Sequence, residues 1–171
     1  MAPLGREWNG SIRARINTNQ ANSRLATYRA IAKKYPEIEP DRLLRDLIDS
    51  TPGEEGKWFA TAKSLKRHDL ALELAWRSPC DPKTLTRAAR DHLGNQPTFA
   101  AEAALAALHW MSQGHGYELT GADVQEAYRH AMAAAQSIGH AEQIQRRVDQ
   151  VLDGDAPAAK WMRQVMGIRN R

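Results

Sequence analysis

Signals that start and stop α-helices alternate along this chain, and almost no strand signal lies between them. Four start signals precede apolar-periodic runs: Thr51-Pro52, Asp81-Pro82, Gln96-Pro97 and Thr120-Gly121. Four glycines follow such runs: Gly94, Gly114, Gly139 and Gly154. Because capping residues and proline favour helix N-termini and glycine favours C-termini, the pattern predicts short antiparallel helices. The expected fold is all-α, with antiparallel helical hairpins packed as a compact bundle or short α-solenoid of about eight or nine helices.

The composition is that of one folded, cytoplasmic domain. The chain has 171 residues, of which 42% are hydrophobic and 26% charged, enough to bury a core. No run is long and apolar enough to span a membrane, and the first residues lack the apolar stretch of a secretory signal. A single cysteine, Cys80, cannot form an internal disulfide. We expect a basic arm at residues 1–20, a helical domain at 21–154, and a basic tail or short helix at 155–171.

Three local patterns within this organisation make specific predictions. Residues 97–113 are apolar nearly all round, which predicts a helix in the middle of a bundle. Thr51 and Glu54 have the spacing of a capping box, which predicts that a helix begins directly after Thr51. In the arm, Trp8, Ile12 and Ile16 recur every four residues, as in a short helix that docks on the body.

Both ends of the chain are basic, although the body between them is mildly acidic. Residues 1–35 carry seven Lys or Arg against one acid, and residues 155–171 carry four against one. Basic ends suggest contact with phosphate or with an acidic protein surface; the alternative is that these side chains are only solvated. Arginine can neutralise phosphate while Trp8 or Tyr28 stacks on a base. The candidate nucleic-acid-binding residues are Arg6, Arg13, Arg15, Arg24, Arg29, Lys160, Arg163 and Arg169.

No catalytic or cofactor motif lies on the predicted helices. Residues 53–58 are too short for a phosphate-binding loop, and Trp58 stands where Ser or Thr would bind magnesium. The six histidines are not at metal-binding spacings, and Cys80 has no histidine partner placed by the sequence. A helix-turn-helix interpretation of residues 82–111 would place alanine and leucine in the DNA groove, where polar side chains are needed. The sequence therefore predicts no enzyme activity, no cofactor and no metal.

One hairpin resembles a known family of helical repeats. The sequence GKWFATAK at residues 56–63, followed by DLALELA at residues 69–75, resembles a hairpin of tetratricopeptide-like α-solenoid proteins. The resemblance covers residues 56–78. It implies a right-handed stack of helical hairpins that presents a groove to a partner.

These patterns favour binding over chemistry. The leading expectation is a non-enzymatic protein-interaction or scaffold module, a subunit or regulator of a larger assembly, that contacts a protein through Trp58, Trp76 and Tyr117. The alternative is a nucleic-acid-binding protein, or a small helical subunit of a ribonucleoprotein. It would bind DNA or RNA independently of sequence through the basic ends.

Overall fold

The computed structural model describes residues 24–168, and every regular element among them is helical. This stretch contains nine α-helices and one 3-10 turn, so the all-α prediction is confirmed. The elements are α1 (Arg24–Lys34), α2 (Pro40–Asp49), the 3-10 turn (Glu55–Trp58), α3 (Phe59–Ser64), α4 (His68–Arg77), α5 (Pro82–His92), α6 (Pro97–Ser112), α7 (Gly121–Ser137), α8 (Ala141–Leu152) and α9 (Pro157–Met166).

The chain separates into two compact units, Met1–Ser78 and Pro79–Arg171. We call them the first and the second unit. The division falls within residues 21–154, which the sequence analysis treated as one helical domain. Helix α9, which was assigned to the tail, belongs to the second unit, where it packs against α6, α7 and α8.

The first unit is built on the apolar faces of α1, α2 and α3. Helix α2 begins at Pro40, and the Glu39 carboxylate accepts hydrogen bonds from two backbone N–H groups of its first turn. Proline suits this position because the first N–H groups of a helix have no partner within it. Burying one large aliphatic side chain stabilises a fold by about 2 kcal/mol, and α2 buries four. These four are Leu43, Leu44, Leu47 and Ile48.

The capping box predicted at Thr51 and Glu54 is wrong. The Thr51 hydroxyl donates to the carbonyl of Ile48 at 3.1 Å and accepts the indole N–H of Trp58 at 2.8 Å. The chain then makes the 3-10 turn, and α3 begins only at Phe59. The spacing does not give a capping box because Trp58 is fully buried and its indole N–H needs an acceptor, which the Thr51 hydroxyl supplies.

The second unit is organised around α6, as its all-round apolar sequence predicts. Eleven residues of this helix are buried, and it packs against α5, α7 and α8. Its alanines let the neighbouring backbones approach closely. The start of α7 is a capping box between Thr120 and Asp123, and α5 starts with Asp81 accepting from the Thr84 backbone N–H at 2.8 Å. A bidentate pair from Arg147 to Glu102 joins α8 to α6.

Four helices end in the same turn, in which two backbone hydrogen bonds close around a residue with positive φ. In α6, α7 and α9 that residue is Gly114, Gly139 or Gly167. In α3 it is Lys66, with φ of 59°, and the closing bonds are Arg67 N to Ala62 O and Lys66 N to Lys63 O, both 2.9 Å. The other predicted stop signals, Gly94 and Gly154, follow their helices without a left-handed conformation.

Candidate functional site

Four of the candidate nucleic-acid-binding residues, Arg6, Arg13, Arg15 and Arg169, lie outside the described residues. Among the others, Arg24 is engaged within the first unit. Its guanidinium binds the Glu54 carboxylate and lies over the Trp58 ring. Its side chain is only 17% exposed. Arg24 therefore holds α1 against the 3-10 turn.

The two described candidates of the C-terminal segment are also engaged. Arg163 donates to the carbonyl oxygens of Leu152 and Gly154, which lie at the end of α8 and just beyond it. These carbonyls lack a partner within the helix, so Arg163 satisfies them. Lys160 pairs with Asp155 at 3.4 Å on the surface. Among these described candidates, Arg29, which is exposed on α1, alone has neither an ion pair nor a side-chain hydrogen bond within residues 24–168.

The three predicted protein-contact aromatics lie in different environments. Trp58 is 0% exposed and fills the core of the first unit, so its ring offers no surface to a partner. Trp76 is half-buried on α4. Tyr117, in contrast, is 78% exposed in the loop between α6 and α7. Among the three, Tyr117 is the one placed for contact with another protein.

A second exposed aromatic residue, Trp161, was not predicted as a contact site. It is 36% exposed on α9, and with Tyr117 it makes up the exposed large hydrophobic side chains of residues 24–168. Helix α9 buries Ala159 and Met162 in the core. A separate apolar stripe on this segment is left partly exposed: Ala158, Trp161, Val165 and Ile168. Their spacing of three, four and three residues places them along one side of the helix, extending to the residue after its last turn.

Helix α9 brings this stripe to the start of α7. A Cβ added at Gly121, the first residue of α7, would lie 3.2 Å from a methyl group of Val165, so the two backbones approach closely. Trp161 lies one helical turn before Val165, and Tyr117 lies three residues before the N-cap Thr120. Tyr117 and Trp161 therefore each lie four residues along the chain from one partner of the Gly121–Val165 contact. We call Tyr117, Trp161, Val165 and Ile168 the α7–α9 end surface.

The loop that carries Tyr117 has a defined backbone. It starts with hydrogen bonds from Gly114 N to Met111 O at 3.0 Å and from His115 N to Trp110 O at 2.9 Å. Glu118 has φ of 46°, and its carbonyl accepts a hydrogen bond from the Lys83 ammonium at 3.2 Å. Tyr117 is thus presented from a turn that is fixed on both sides, which lowers the entropy lost on binding.

A groove of about 410 Å³ lies between α2 and α4 in the first unit. Four aliphatic side chains line it, of which Leu70 is half-buried and the other three are buried: Leu44 and Ile48 of α2, and Leu70 and Leu74 of α4. Charged side chains of both signs form its rim: Asp41, Arg45, Asp49, Arg67, Asp69, Glu73 and Arg77. Arg67, the N-cap of α4, donates to Asp41 in the first turn of α2 at 2.7 Å, so this pair joins the N-terminal ends of the two helices.

The described residues contain no group of three or more His, Cys, Asp or Glu that could hold a metal ion. Cys80 is buried, and this burial, together with the neighbouring Asp81 carboxylate, raises the pKa of its thiol to about 12. The thiolate that a nucleophile requires is therefore scarce at neutral pH. Within residues 24–168, no helix has the length and apolar character that crossing a membrane requires.

Comparison with known proteins returned no relative: no family model, curated protein or solved structure matches this chain.

Proposed function

We propose that this chain is a non-enzymatic protein-interaction module, a subunit or regulator of a larger assembly, and that its partner protein binds the α7–α9 end surface. The observation that supports this is that Tyr117 and Trp161 are the exposed large hydrophobic side chains of residues 24–168, and that each lies four residues along the chain from one partner of the Gly121–Val165 contact. Tyr and Trp are the side chains that most often dominate binding energy at protein interfaces, because they bury a large area with few rotatable bonds.

The end surface has the composition of a small interface. Its centre is apolar, with Trp161, Val165 and Ile168, and charged or polar side chains lie beside it on α9, including Lys160 and Gln164. An apolar centre with a polar rim is the usual arrangement at protein interfaces. Binding that depends on apolar burial should change little with salt, because salt mainly screens interactions between exposed charges.

The resemblance of residues 56–78 to tetratricopeptide-like hairpins is in keeping with a scaffold function. In the structure this segment comprises the 3-10 turn, α3 and α4. Helix α4 contributes one wall of the groove in the first unit, which gives the chain a second surface of the kind that helical scaffolds use.

The proposal is tested by affinity capture with the full chain and two variants. The first variant, Tyr117→Ala/Trp161→Ala, removes both exposed aromatics; the second, Gln136→Ala, changes an exposed side chain elsewhere on α7. We expect a stoichiometric partner that the wild type and Gln136→Ala retain equally. Loss of each aromatic should weaken the affinity by about tenfold or more, measured by calorimetry at low and high salt. The circular dichroism of the double variant must match that of the wild type. If such a folded double variant binds the partner as tightly as the wild type does, the α7–α9 end surface is excluded as the binding site.

A second candidate function rests on α1. Arg29, Lys33 and Lys34 are exposed on this helix and have no ion pair among residues 24–168. Unpaired basic side chains next to a basic N-terminal segment favour sequence-independent binding to DNA or RNA. Such binding weakens steeply as salt is added, whereas protein binding through the end surface should change little. The salt dependence therefore distinguishes the two functions.

A further inference from the structure

We propose that a shallow depression between α7 and α8 binds the same depression of a second copy of this chain, across a two-fold axis. The depression has a volume of about 430 Å³, and five residues line it: Met132 of α7, and Ala141, Glu142, Gln145 and Arg146 of α8. All five belong to the second unit. None of them is part of the α7–α9 end surface, so the inference does not rest on the proposed function.

The apolar part of the depression is accessible to a partner. The side chains of Met132 and Ala141 are half-buried rather than buried, and both line the depression. Glu142 and Arg146 add the aliphatic parts of their side chains to this surface while their charged groups stay in water. Methionine is unbranched and flexible, so it adapts to the surface that covers it. A second apolar surface laid over this one would remove it from water, which favours association.

The two helices are held in place beside the depression. The Tyr128 hydroxyl of α7 donates to Gln145 Oε1 of α8 at 2.6 Å, and Gln145 Nε2 donates to the Asp149 carboxylate at 2.9 Å. The turn between the helices is closed by the hydrogen bond from His140 N to Ala135 O at 2.8 Å. Because the surface is ordered before a partner arrives, little conformational entropy is lost on binding.

The two charged side chains of the depression are available to a partner. Glu142 and Arg146 are exposed, and neither makes an ion pair or a side-chain hydrogen bond within residues 24–168. They lie on the same side of α8, one helical turn apart, which is about 6 Å along the helix axis. The depression therefore presents one negative and one positive group beside an apolar centre.

This order of charges is self-complementary. A two-fold axis places residue i of one copy against residue j of the other, and residue j against residue i. If the axis passes midway between Glu142 and Arg146, perpendicular to α8, the two α8 helices run antiparallel. Glu142 of each copy then lies opposite Arg146 of the other. Two ion pairs form beside the apolar centre, and this charge complementarity is the reason to assign the surface to a second copy of the chain.

The contact is small, so the dimer should be weak. Stable specific interfaces bury at least about 1,200 Å² in total, and a surface of five residues on each side buries less. We expect a dissociation constant on the order of 100 μM. The dimer would then form at high concentration of the chain, or where an assembly holds two copies together.

The test is sedimentation equilibrium of the full chain, at concentrations from about tenfold below to tenfold above this constant. Glu142→Arg and Arg146→Glu each place like charges opposite one another in the dimer, so each should weaken self-association by at least about tenfold. In the double variant Glu142→Arg/Arg146→Glu both ion pairs are reversed but intact, so self-association should return to the wild-type value.

A mixture of the two single variants gives the sharpest result. A copy with two positive groups meets a copy with two negative groups, so the mixture should form heterodimers although each variant alone stays monomeric. Arg87→Glu is the matched control, because it reverses one exposed charge on α5, outside the depression. It should associate as the wild type does. Both charged positions are exposed, so every variant should keep the circular dichroism of the wild type.

Four results would overturn the proposal. In the first, the wild type stays monomeric at the highest concentration. In the second, the single variants associate as tightly as the wild type. In the third, they lose self-association, but neither the double variant nor the mixture regains it. In the fourth, self-association is lost in Tyr117→Ala/Trp161→Ala and kept in Glu142→Arg, which would mean that two copies meet at the α7–α9 end surface instead.

Discussion

The guanidinium of Arg24 lies 5.4 Å from the centroid of the Trp58 ring. The same guanidinium binds Glu54, while the indole N–H of Trp58 donates to Thr51. The Trp58 ring is thus held by a cation beside it and an acceptor at its edge. Arg24 is therefore a structural residue of the first unit, and Trp58 is part of its core.

Replacing Arg24 should therefore destabilise the first unit. We expect Arg24→Ala to lower the free energy of unfolding by about 1 kcal/mol, because it removes both the contact with the ring and a partly exposed ion pair. Urea denaturation followed by tryptophan fluorescence will measure the change. The matched control is Arg29→Ala on the exposed side of the same helix. If the two variants unfold alike, the contact with Trp58 contributes nothing.

The region around Trp58 also shows where prediction from sequence fails. The helix signals at Asp81 and Thr120 were interpreted correctly, because each depends only on residues within one turn. Thr51 carries the same local signal, yet its hydroxyl is used by a side chain seven residues away that the core buries. A pattern of neighbouring residues cannot show that the indole of Trp58, rather than a backbone N–H, takes the Thr51 hydroxyl as its acceptor.

The candidate site was predicted only in part for a related reason. Tyr117 follows Gly114 and Gly116 in the loop before α7, and this context predicts exposure correctly. Trp161 occurs in a helix whose core-facing residues, Ala159 and Met162, alternate with a second apolar stripe. Which of two stripes faces the core depends on the packing of α9 on α6, α7 and α8, and helical periodicity alone does not specify it.

The capping box at the start of α7 should give a pH-dependent contribution to stability. The Asp123 carboxylate accepts from the Thr120 backbone N–H at 2.7 Å, and this bond, together with that from the Thr120 hydroxyl, holds the Asp123 pKa below its ordinary value. Because the Asp123 pKa is lower in the folded than in the unfolded chain, the ionised carboxylate stabilises the fold. This stabilisation is complete above the pKa of Asp123 in the unfolded chain, about pH 4, and is lost as the pH falls through its pKa in the folded chain.

Asp123→Ala should thus lower stability by about 1 kcal/mol at neutral pH, with a difference that shrinks as the solution is made more acidic than about pH 4. Thermal unfolding across this range will measure it. Asp153→Ala, at an exposed carboxylate outside any capping box, serves as the control. A difference from wild type that is constant with pH would contradict the capping role.

Lys66 offers a position where stability can be increased. It occupies the left-handed residue of a helix-ending turn, a conformation that costs a side chain about 1 kcal/mol and glycine almost nothing. Lys66→Gly should therefore raise the free energy of unfolding by up to about 1 kcal/mol, measured in urea. Gly139→Ala, at the equivalent residue after α7, should lower it by a similar amount. A destabilising Lys66→Gly would show that the lysine side chain makes a stabilising contact.

The central position of α6 makes Leu105 critical for the second unit. Its side chain is 1% exposed, so Leu105→Asp removes a buried aliphatic group and buries a carboxylate without a partner. The expected cost of at least about 4 kcal/mol is comparable to the whole stability of many domains. Circular dichroism should show loss of helix. Ala133→Asp, on the exposed side of α7, should remain folded; a folded Leu105→Asp chain would refute the central role of α6.

The nucleic-acid alternative is best tested on α1, because Arg24 and Arg163 are engaged within the fold. If Arg29, Lys33 and Lys34 contact phosphate, replacing all three with alanine should weaken binding to DNA and RNA alike. Each lost contact should also reduce the slope of log affinity against log salt by roughly 1. Fluorescence anisotropy with short single- and double-stranded probes at several salt concentrations will measure both quantities. The melting temperature should change little, because these side chains are exposed and make no ion pair among residues 24–168, and Lys34 loses only its contact with the neighbouring Tyr35 ring. If the triple variant has the same salt slope as the wild type, or if the wild type does not bind at low salt, nucleic-acid binding through α1 is excluded. Protein binding would then be the remaining proposed function.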